Sequence, residues 1–174
     1  MRTLLAIAVT LAPAMALAAG GGSVPSTDTI TQCKNGEIYD ADTKTCVAPK
    51  DSRLDDDTRF EAARAFAYMG LTEEAFAALA AMRDQTEDRV LTYMGFTHRR
   101  AGNIDLANDF YRKALAQNPS NILARSYMAQ GFIQEGRIDL ARAELTEIRR
   151  LGGRGTWAEV SLRLALRSGR GFAY

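Results

Sequence analysis

The sequence predicts an all-α fold in which three helical hairpins stack and one further helix closes the stack. The first observation is an internal repeat, because residues 102–107 (GNIDLA) recur as residues 136–141 (GRIDLA), 34 positions later. The second is composition, since residues 54–168 are rich in Ala, Leu, Arg and Glu, with apolar residues at helical spacing. A fixed period of this length indicates stacked supersecondary units.

Each unit is predicted to contain two helices. In the middle unit, Leu91 and Gly95 share one helical face, and Gly102 is expected to end the helix because glycine adopts the left-handed conformation without penalty. Pro119 is expected to follow the end of the second helix. A related segment starts at Gly70, 32 positions before Gly102, and predicts an earlier unit. The expected organisation is repeats at about 54–87, 88–121 and 122–155, a capping helix at 156–168 that begins with a capping box (Thr156 to Glu159), and a tail at 169–174.

The pattern of small and aromatic residues resembles the tetratricopeptide repeat family. That family carries Leu-Gly and an aromatic residue on the first helix, then Ala, an aromatic residue, Ala and Pro on the second. The matching residues here are Gly70, Ala75, Gly95, Gly102, Ala107, Tyr111, Pro119, Gly136 and Ala141. His98 stands at a family aromatic position, so we expect a packed histidine rather than a general base. The resemblance implies a right-handed superhelix.

The resemblance also implies a concave groove lined by the first helix of each unit. Tyrosine and arginine give large contact areas with a polar end and are common in binding hot spots. We therefore expect a non-enzymatic scaffold that binds a protein or peptide. The implied groove residues are Arg64, Tyr68, Arg89, Tyr93, Phe96, Arg100, Tyr127, Gln130, Gln134 and Arg167. For Phe96 the alternative of packing between repeats stays open.

Residues 1–18 are typical of a secretory signal peptide. Arg2 precedes an apolar run, and residues 16–18 (ALA) form a small-x-small cleavage site. The expected location is the periplasm or the exterior, with no stable membrane insertion after cleavage; an uncleaved anchor is the alternative. Residues 19–53 contain several Gly, Pro, Ser and Thr and are expected to form a flexible leader.

Two cysteines, Cys33 and Cys46, are expected to form a disulfide across a short hairpin, since exported proteins fold in an oxidising environment. Residues 33–47 also show a weak similarity to the last disulfide loop of peritrophin-type chitin-binding modules. That similarity implies the alternative function, a cell-wall or glycan-associated module that contacts its ligand through the hairpin.

Several function classes are disfavoured. Without the signal peptide, basic and acidic residues are equal in number at 21 each, which argues against nucleic-acid binding. One His and two Cys argue against a transition-metal site. The motifs of serine hydrolases, zinc proteases and phosphate-binding loops are missing, so we expect neither catalysis nor a cofactor. The partner and the oligomeric state cannot be read from the sequence.

Overall fold

The computed structural model describes residues 33–171 of the 174. The predicted signal peptide, residues 19–32 of the predicted leader and residues 172–174 of the predicted tail lie outside this range. Within it, two strands precede seven helices: β1 (Ile38–Asp40), β2 (Thr45–Val47), α1 (Asp56–Met69), α2 (Thr72–Ala80), α3 (Asp88–Arg100), α4 (Ile104–Gln117), α5 (Ile122–Gln134), α6 (Ile138–Arg150) and α7 (Trp157–Ser168). Every helix in this range is too short or too polar to cross a bilayer.

The helices pack in consecutive pairs, which confirms the predicted all-α repeat fold. We refer to α1–α2, α3–α4 and α5–α6 as repeats 1, 2 and 3. Their first helices begin at Asp56, Asp88 and Ile122, so they recur at intervals of 32 and 34 residues. Repeat 1 is shorter because α2 has nine residues where α4 has 14. Gln85 compensates by donating from its amide to the carbonyls of Leu79 and Met82, near the end of α2.

Glycine sets the turn between the two helices of each repeat. Gly102 follows α3 with φ of +84°, and the N–H of Asn103 donates to the carbonyl of His98 at 2.9 Å. This is the six-to-one hydrogen bond of a Schellman motif, which requires the left-handed conformation at the glycine. Gly70 and Gly136 have φ of +78° and +74° in the other two repeats. The turn is therefore repeated with the period of the sequence.

Gly95 lets the two helices of repeat 2 approach closely. A Cβ atom at this position would lie only 2.6 Å from Cε1 of Tyr111, whose ring is fully buried. The equivalent positions of the other two repeats pair an alanine with a leucine, so that the small residue is larger and its partner is smaller than in repeat 2. They are Ala63 with Leu79 in repeat 1 and Ala129 with Leu145 in repeat 3. The small residue is therefore glycine where its counterpart on the second helix is a tyrosine.

The disulfide hairpin covers the N-terminal end of the stack. Cys33 and Cys46 are bonded as predicted, and the strands pair in register with Tyr39 opposite Cys46. Ile38 is fully buried. The guanidinium of Arg59, on α1, is also buried and donates to the backbone carbonyls of Pro49 and Asp51 at 2.9 and 2.7 Å. Residues 33–53, which contain the predicted hairpin, are thus packed on repeat 1.

Helix α7 covers the other end by packing on α5 and α6. Its start was predicted to be a reciprocal capping box, and only half of that motif forms. The hydroxyl of Thr156 accepts from the N–H of Glu159 at 3.4 Å. The carboxylate of Glu159 instead binds Arg149 at 2.7 Å, and this hydrogen bond lowers its pKa. The side chain therefore ties α7 to the end of α6.

Candidate functional site

Three tyrosines from the first helices of successive repeats meet at their hydroxyl groups. The hydroxyl of Tyr68 lies 2.8 Å from that of Tyr93 and 3.0 Å from that of Tyr127. The rings of Tyr93 and Tyr127 stand edge to face, with centroids 6.2 Å apart. We call Tyr68, Tyr93 and Tyr127 the tyrosine cluster. It joins the inner helices of all three repeats.

Four residues that were predicted to line an open groove are buried instead. Tyr127, Phe96 and Gln130 are fully buried, and Tyr93 is 3% exposed. The expectation that these side chains contact a ligand directly is therefore corrected. The physical reason is that the first helices lie close enough for large side chains to fill the space between them. For Phe96, packing between repeats was the open alternative, and its ring lies 4.7 Å from that of Tyr127.

Within the cluster, Tyr93 is held in its neutral form. Burial raises the pKa of the Tyr93 hydroxyl, and the neighbouring Tyr68 raises it further. A neutral phenol both donates and accepts a hydrogen bond. The cluster can therefore satisfy buried hydroxyl groups without placing a charge between the helices.

Two arginines lie against the accessible side of this cluster. Tyr68 is half-buried, and the guanidinium carbon of Arg64 lies 5.9 Å from its ring centroid. Arg100 donates to the backbone carbonyl of Tyr68 at 3.3 Å and lies 5.9 Å from the ring centroid of Phe96. Both guanidinium groups are within the range of cation–π attraction. We call Arg64, Tyr68 and Arg100 the Arg-Tyr-Arg surface.

Comparison with known families agrees with this architecture, because residues 98–154 match the family model described as Tetratricopeptide repeat. The matched segment runs from the end of α3 to just beyond α6 and is similar to this repeat. Repeats of this family generally mediate protein–protein interactions, and the fold is typically a non-enzymatic scaffold. Comparisons with curated proteins and with solved structures found no significant match.

The remaining predicted groove residues of the helical stack have different environments. Arg89 binds the carboxylates of Asp57 at 2.6 Å and Glu87 at 2.5 Å, and its guanidinium lies over the ring of Phe60. It therefore bridges repeats 1 and 2. Gln134 and Arg167 are exposed near the C-terminal ends of α5 and α7.

Arg99, the neighbour of Arg100, has an unusual environment for an arginine side chain. It is 3% exposed, and its Nε and Nη2 atoms have no hydrogen-bond partner among residues 33–171. Its Nη1 faces Gly171, where an added Cβ would lie 3.4 Å away. The sequence pattern did not bring Gly171 into the site. A signal was present in Gly169, a glycine just after α7 that reverses the chain.

His98 packs between aromatic rings, as its position in the tetratricopeptide pattern predicted. Its ring centroid lies 4.5 Å from that of Phe76 and 5.3 Å from that of Phe110. Burial lowers its pKa. In the described part of the chain, no three side chains of His, Cys, Asp or Glu converge to a potential metal site.

Proposed function

We propose that this protein is an exported, non-enzymatic adaptor of the cell envelope that binds an extended segment of another protein on the concave side of its tetratricopeptide stack. The observation that carries the proposal is the tyrosine cluster with its two flanking arginines. One hydroxyl, that of Tyr68, contacts side chains from both following repeats, so the inner helices support a single surface.

The proposed surface differs from the one expected from the sequence. Tyr93, Phe96, Tyr127 and Gln130 form its floor and hold the inner helices in place. The Arg-Tyr-Arg surface is the part that contacts the partner. The exposed Gln134 and Arg167 are further candidates for direct contact.

The chemistry of this surface favours a segment with carboxylate or backbone carbonyl groups next to an aromatic side chain. Guanidinium groups donate hydrogen bonds in a planar fork and also stack on aromatic rings. Arg64 already lies 3.2 Å from Glu61, but that carboxylate is 48% exposed, so a partner can replace this pairing at low cost. Helices that are ordered before binding lose little entropy when the partner arrives.

Export is part of the proposal. It is supported by the signal-like pattern at residues 1–18 and by the Cys33–Cys46 disulfide, a bond typical of oxidising compartments. Fractionation of cells that express the full chain tests this point. A mature protein that begins near residue 19 in the periplasmic or secreted fraction is the expected result, and a full-length cytoplasmic product would contradict it.

The binding proposal is tested by in-cell crosslinking with quantitative mass spectrometry. The double variant Arg64→Ala/Arg100→Ala removes both guanidinium groups of the surface. Its matched control is Arg112→Ala/Arg142→Ala, which removes two highly exposed arginines from second helices, each paired with an aspartate three residues earlier. We expect partner recovery to fall at least tenfold in the first variant and to stay unchanged in the control. Equal recovery from both would refute the proposal.

A second candidate function is contact with a polysaccharide through the hairpin. It is favoured by a cleft between the hairpin and the start of α1, lined by Tyr39, Asp40, Asp42, Arg53 and Asp55 among others. An aromatic ring can pack against the face of a sugar, and the carboxylates beside it can accept hydrogen bonds from sugar hydroxyl groups. Binding of the full chain to insoluble polysaccharide, lost in Tyr39→Ala, would support it. Binding that survives deletion of residues 19–53 would exclude it.

A further inference from the structure

Helix α7 carries an apolar stripe on its outer side. Trp157, Val160 and Leu164 follow one another at intervals of three and four residues, which places them on one side of the helix. Trp157 is 50% exposed, and Val160 and Leu164 are half-buried. Leu162 and Ala165 face the other way and belong to the hydrophobic core. The stripe is therefore the side of α7 that faces away from α5 and α6.

This side of α7 is not built to receive the second helix of a fourth repeat. Arg163 stands 34 residues after Ala129 and 68 after Gly95, the small residues that allow the two helices of a repeat to approach. Ser126, the counterpart of Val160 in repeat 3, is fully buried, and its hydroxyl donates to a backbone carbonyl of α7. A helix could not come as close to α7, because the Arg163 side chain occupies the place of contact.

Positive charge surrounds the stripe. Residues 148–171 contain six arginines and a single carboxylate, that of Glu159, which already binds Arg149 at 2.7 Å. Arg154 and Arg167 are exposed, and neither has a salt-bridge partner in the described part of the chain. They stand three residues before the first and three residues after the last member of the stripe. Uncompensated charge thus flanks the apolar stripe at both ends.

We propose that the stripe and its two flanking arginines form a docking surface for a membrane of anionic phospholipids. We call this surface the α7 face. Guanidinium groups bind phosphate oxygens through two parallel hydrogen bonds, and tryptophan favours the boundary between headgroups and acyl chains. A helix with Trp and Leu beside arginines lies in the plane of that boundary. Each arginine near an anionic surface strengthens binding about fivefold.

Other occupants suit the α7 face less well. A second copy of the chain, docked symmetrically through the same face, would place arginine against arginine. An acidic protein segment would satisfy the arginines, whereas an anionic membrane also takes up the apolar stripe. The inference does not depend on the adaptor function.

The emission of Trp157 tests the proposal directly, because it is the single tryptophan of the chain. The full chain is mixed with vesicles of equal parts phosphatidylglycerol and phosphatidylcholine, with vesicles of phosphatidylcholine alone, and with polyglutamate. We expect a shift of the emission to shorter wavelength with the anionic vesicles only. No shift with these vesicles, or an equal shift with phosphatidylcholine alone, overturns the proposal. A shift with polyglutamate and none with vesicles also overturns it, in favour of an acidic protein.

Co-sedimentation with the same anionic vesicles tests the arginines. The double variant Arg154→Gln/Arg167→Gln removes both charges from the α7 face. Its matched control, Arg112→Gln/Arg142→Gln, removes the same net charge from side chains that are 65% and 70% exposed on α4 and α6. Because residues 1–18 are identical in all of these chains, differences between them report the α7 face. We expect binding to fall at least tenfold in the first variant and to stay unchanged in the control. An equal loss in both, or in neither, overturns the proposal.

The membrane and adaptor proposals fail separately. The adaptor test changes Arg64 and Arg100, which lie on α1 and α3, and uses no residue of the α7 face. Partner recovery that depends on those two arginines, together with a negative vesicle result, removes only the membrane proposal. A positive vesicle result with unchanged partner recovery removes only the adaptor proposal.

Discussion

Gly95→Ala is the sharpest test of how the repeats pack. The added Cβ would lie 2.6, 2.7 and 3.0 Å from three atoms of the buried Tyr111 ring, well inside normal contact distance. Overpacking of this kind costs about 1–3 kcal/mol. Alanine recovers about 1 kcal/mol because it favours the helix more than glycine does. We therefore expect the free energy of unfolding to fall by up to about 2 kcal/mol.

Gly131→Ala is the matched control, because it makes the same substitution inside α5. A Cβ at Gly131 would lie 3.6 Å or more from its neighbours, which is ordinary contact. This variant is expected to gain up to about 1 kcal/mol from helix propensity. Urea unfolding followed by far-UV circular dichroism measures both changes.

The double variant Gly95→Ala/Tyr111→Leu copies the pairing that the other two repeats use. Its loss of stability should be smaller than the sum of the two single losses, with a coupling free energy of about 0.5–3 kcal/mol. If Gly95→Ala is as stable as Gly131→Ala, or if the double-variant losses simply add, the argument from ring contact is wrong.

Three further predictions concern the core and the N-terminal end. Because burial lowers the pKa of His98 below its ordinary 6.5, the unfolded chain binds this proton more readily, so stability should decrease as pH falls below 6.5. His98→Phe should flatten that dependence between about pH 7.5 and pH 5, where few carboxylates titrate, as measured by urea unfolding; an unchanged slope would contradict this reasoning. Replacing Cys33 and Cys46 with Ser, thereby opening a disulfide of sequence separation 13, should cost about 3 kcal/mol while far-UV circular dichroism keeps the helical signal; a loss of helix would show that the hairpin is needed for the stack to form. Arg59→Lys should cost about 2–4 kcal/mol, because the single ammonium nitrogen of lysine cannot take the place of the two separate guanidinium nitrogens that donate to the backbone carbonyls. Thermal unfolding within 1 °C of the parent would exclude this role.

The sequence predicted the repeat architecture well because its signals are local. A glycine just after a run of apolar residues at helical spacing favours the end of the helix. Recurrence of the same segment at a fixed offset predicts a second pair of helices of the same kind. Gly102 and Gly136 therefore appear with the expected left-handed backbone. The Cys33–Cys46 bond was also predictable, since the described chain has no other cysteines to compete.

The candidate site was harder to predict because it depends on the distance between helices. The family pattern predicted that Tyr93 and Tyr127 line an open groove, but whether such residues are open or buried depends on how closely successive first helices approach. The distance between these helices results from many individual contacts, such as the hydrogen bond that the Ser126 hydroxyl donates to the carbonyl of Ala158 at 2.8 Å. The periodicity of the sequence does not predict this distance. The docking of Arg59 on the hairpin segment was missed for the same reason.

The contact between Tyr68 and Tyr127 has a consequence for the modularity of the protein. In most helical arrays each unit contacts only the next one, so units can be added or removed, and the ends can open independently. Here the first and third units touch directly, with hydroxyl oxygens 3.0 Å apart. Unfolding of either terminal unit breaks a hydrogen bond of the Tyr68 hydroxyl, which contacts both other units. We therefore expect all three units to unfold in one transition. Excision of the middle unit would not produce a shorter working version.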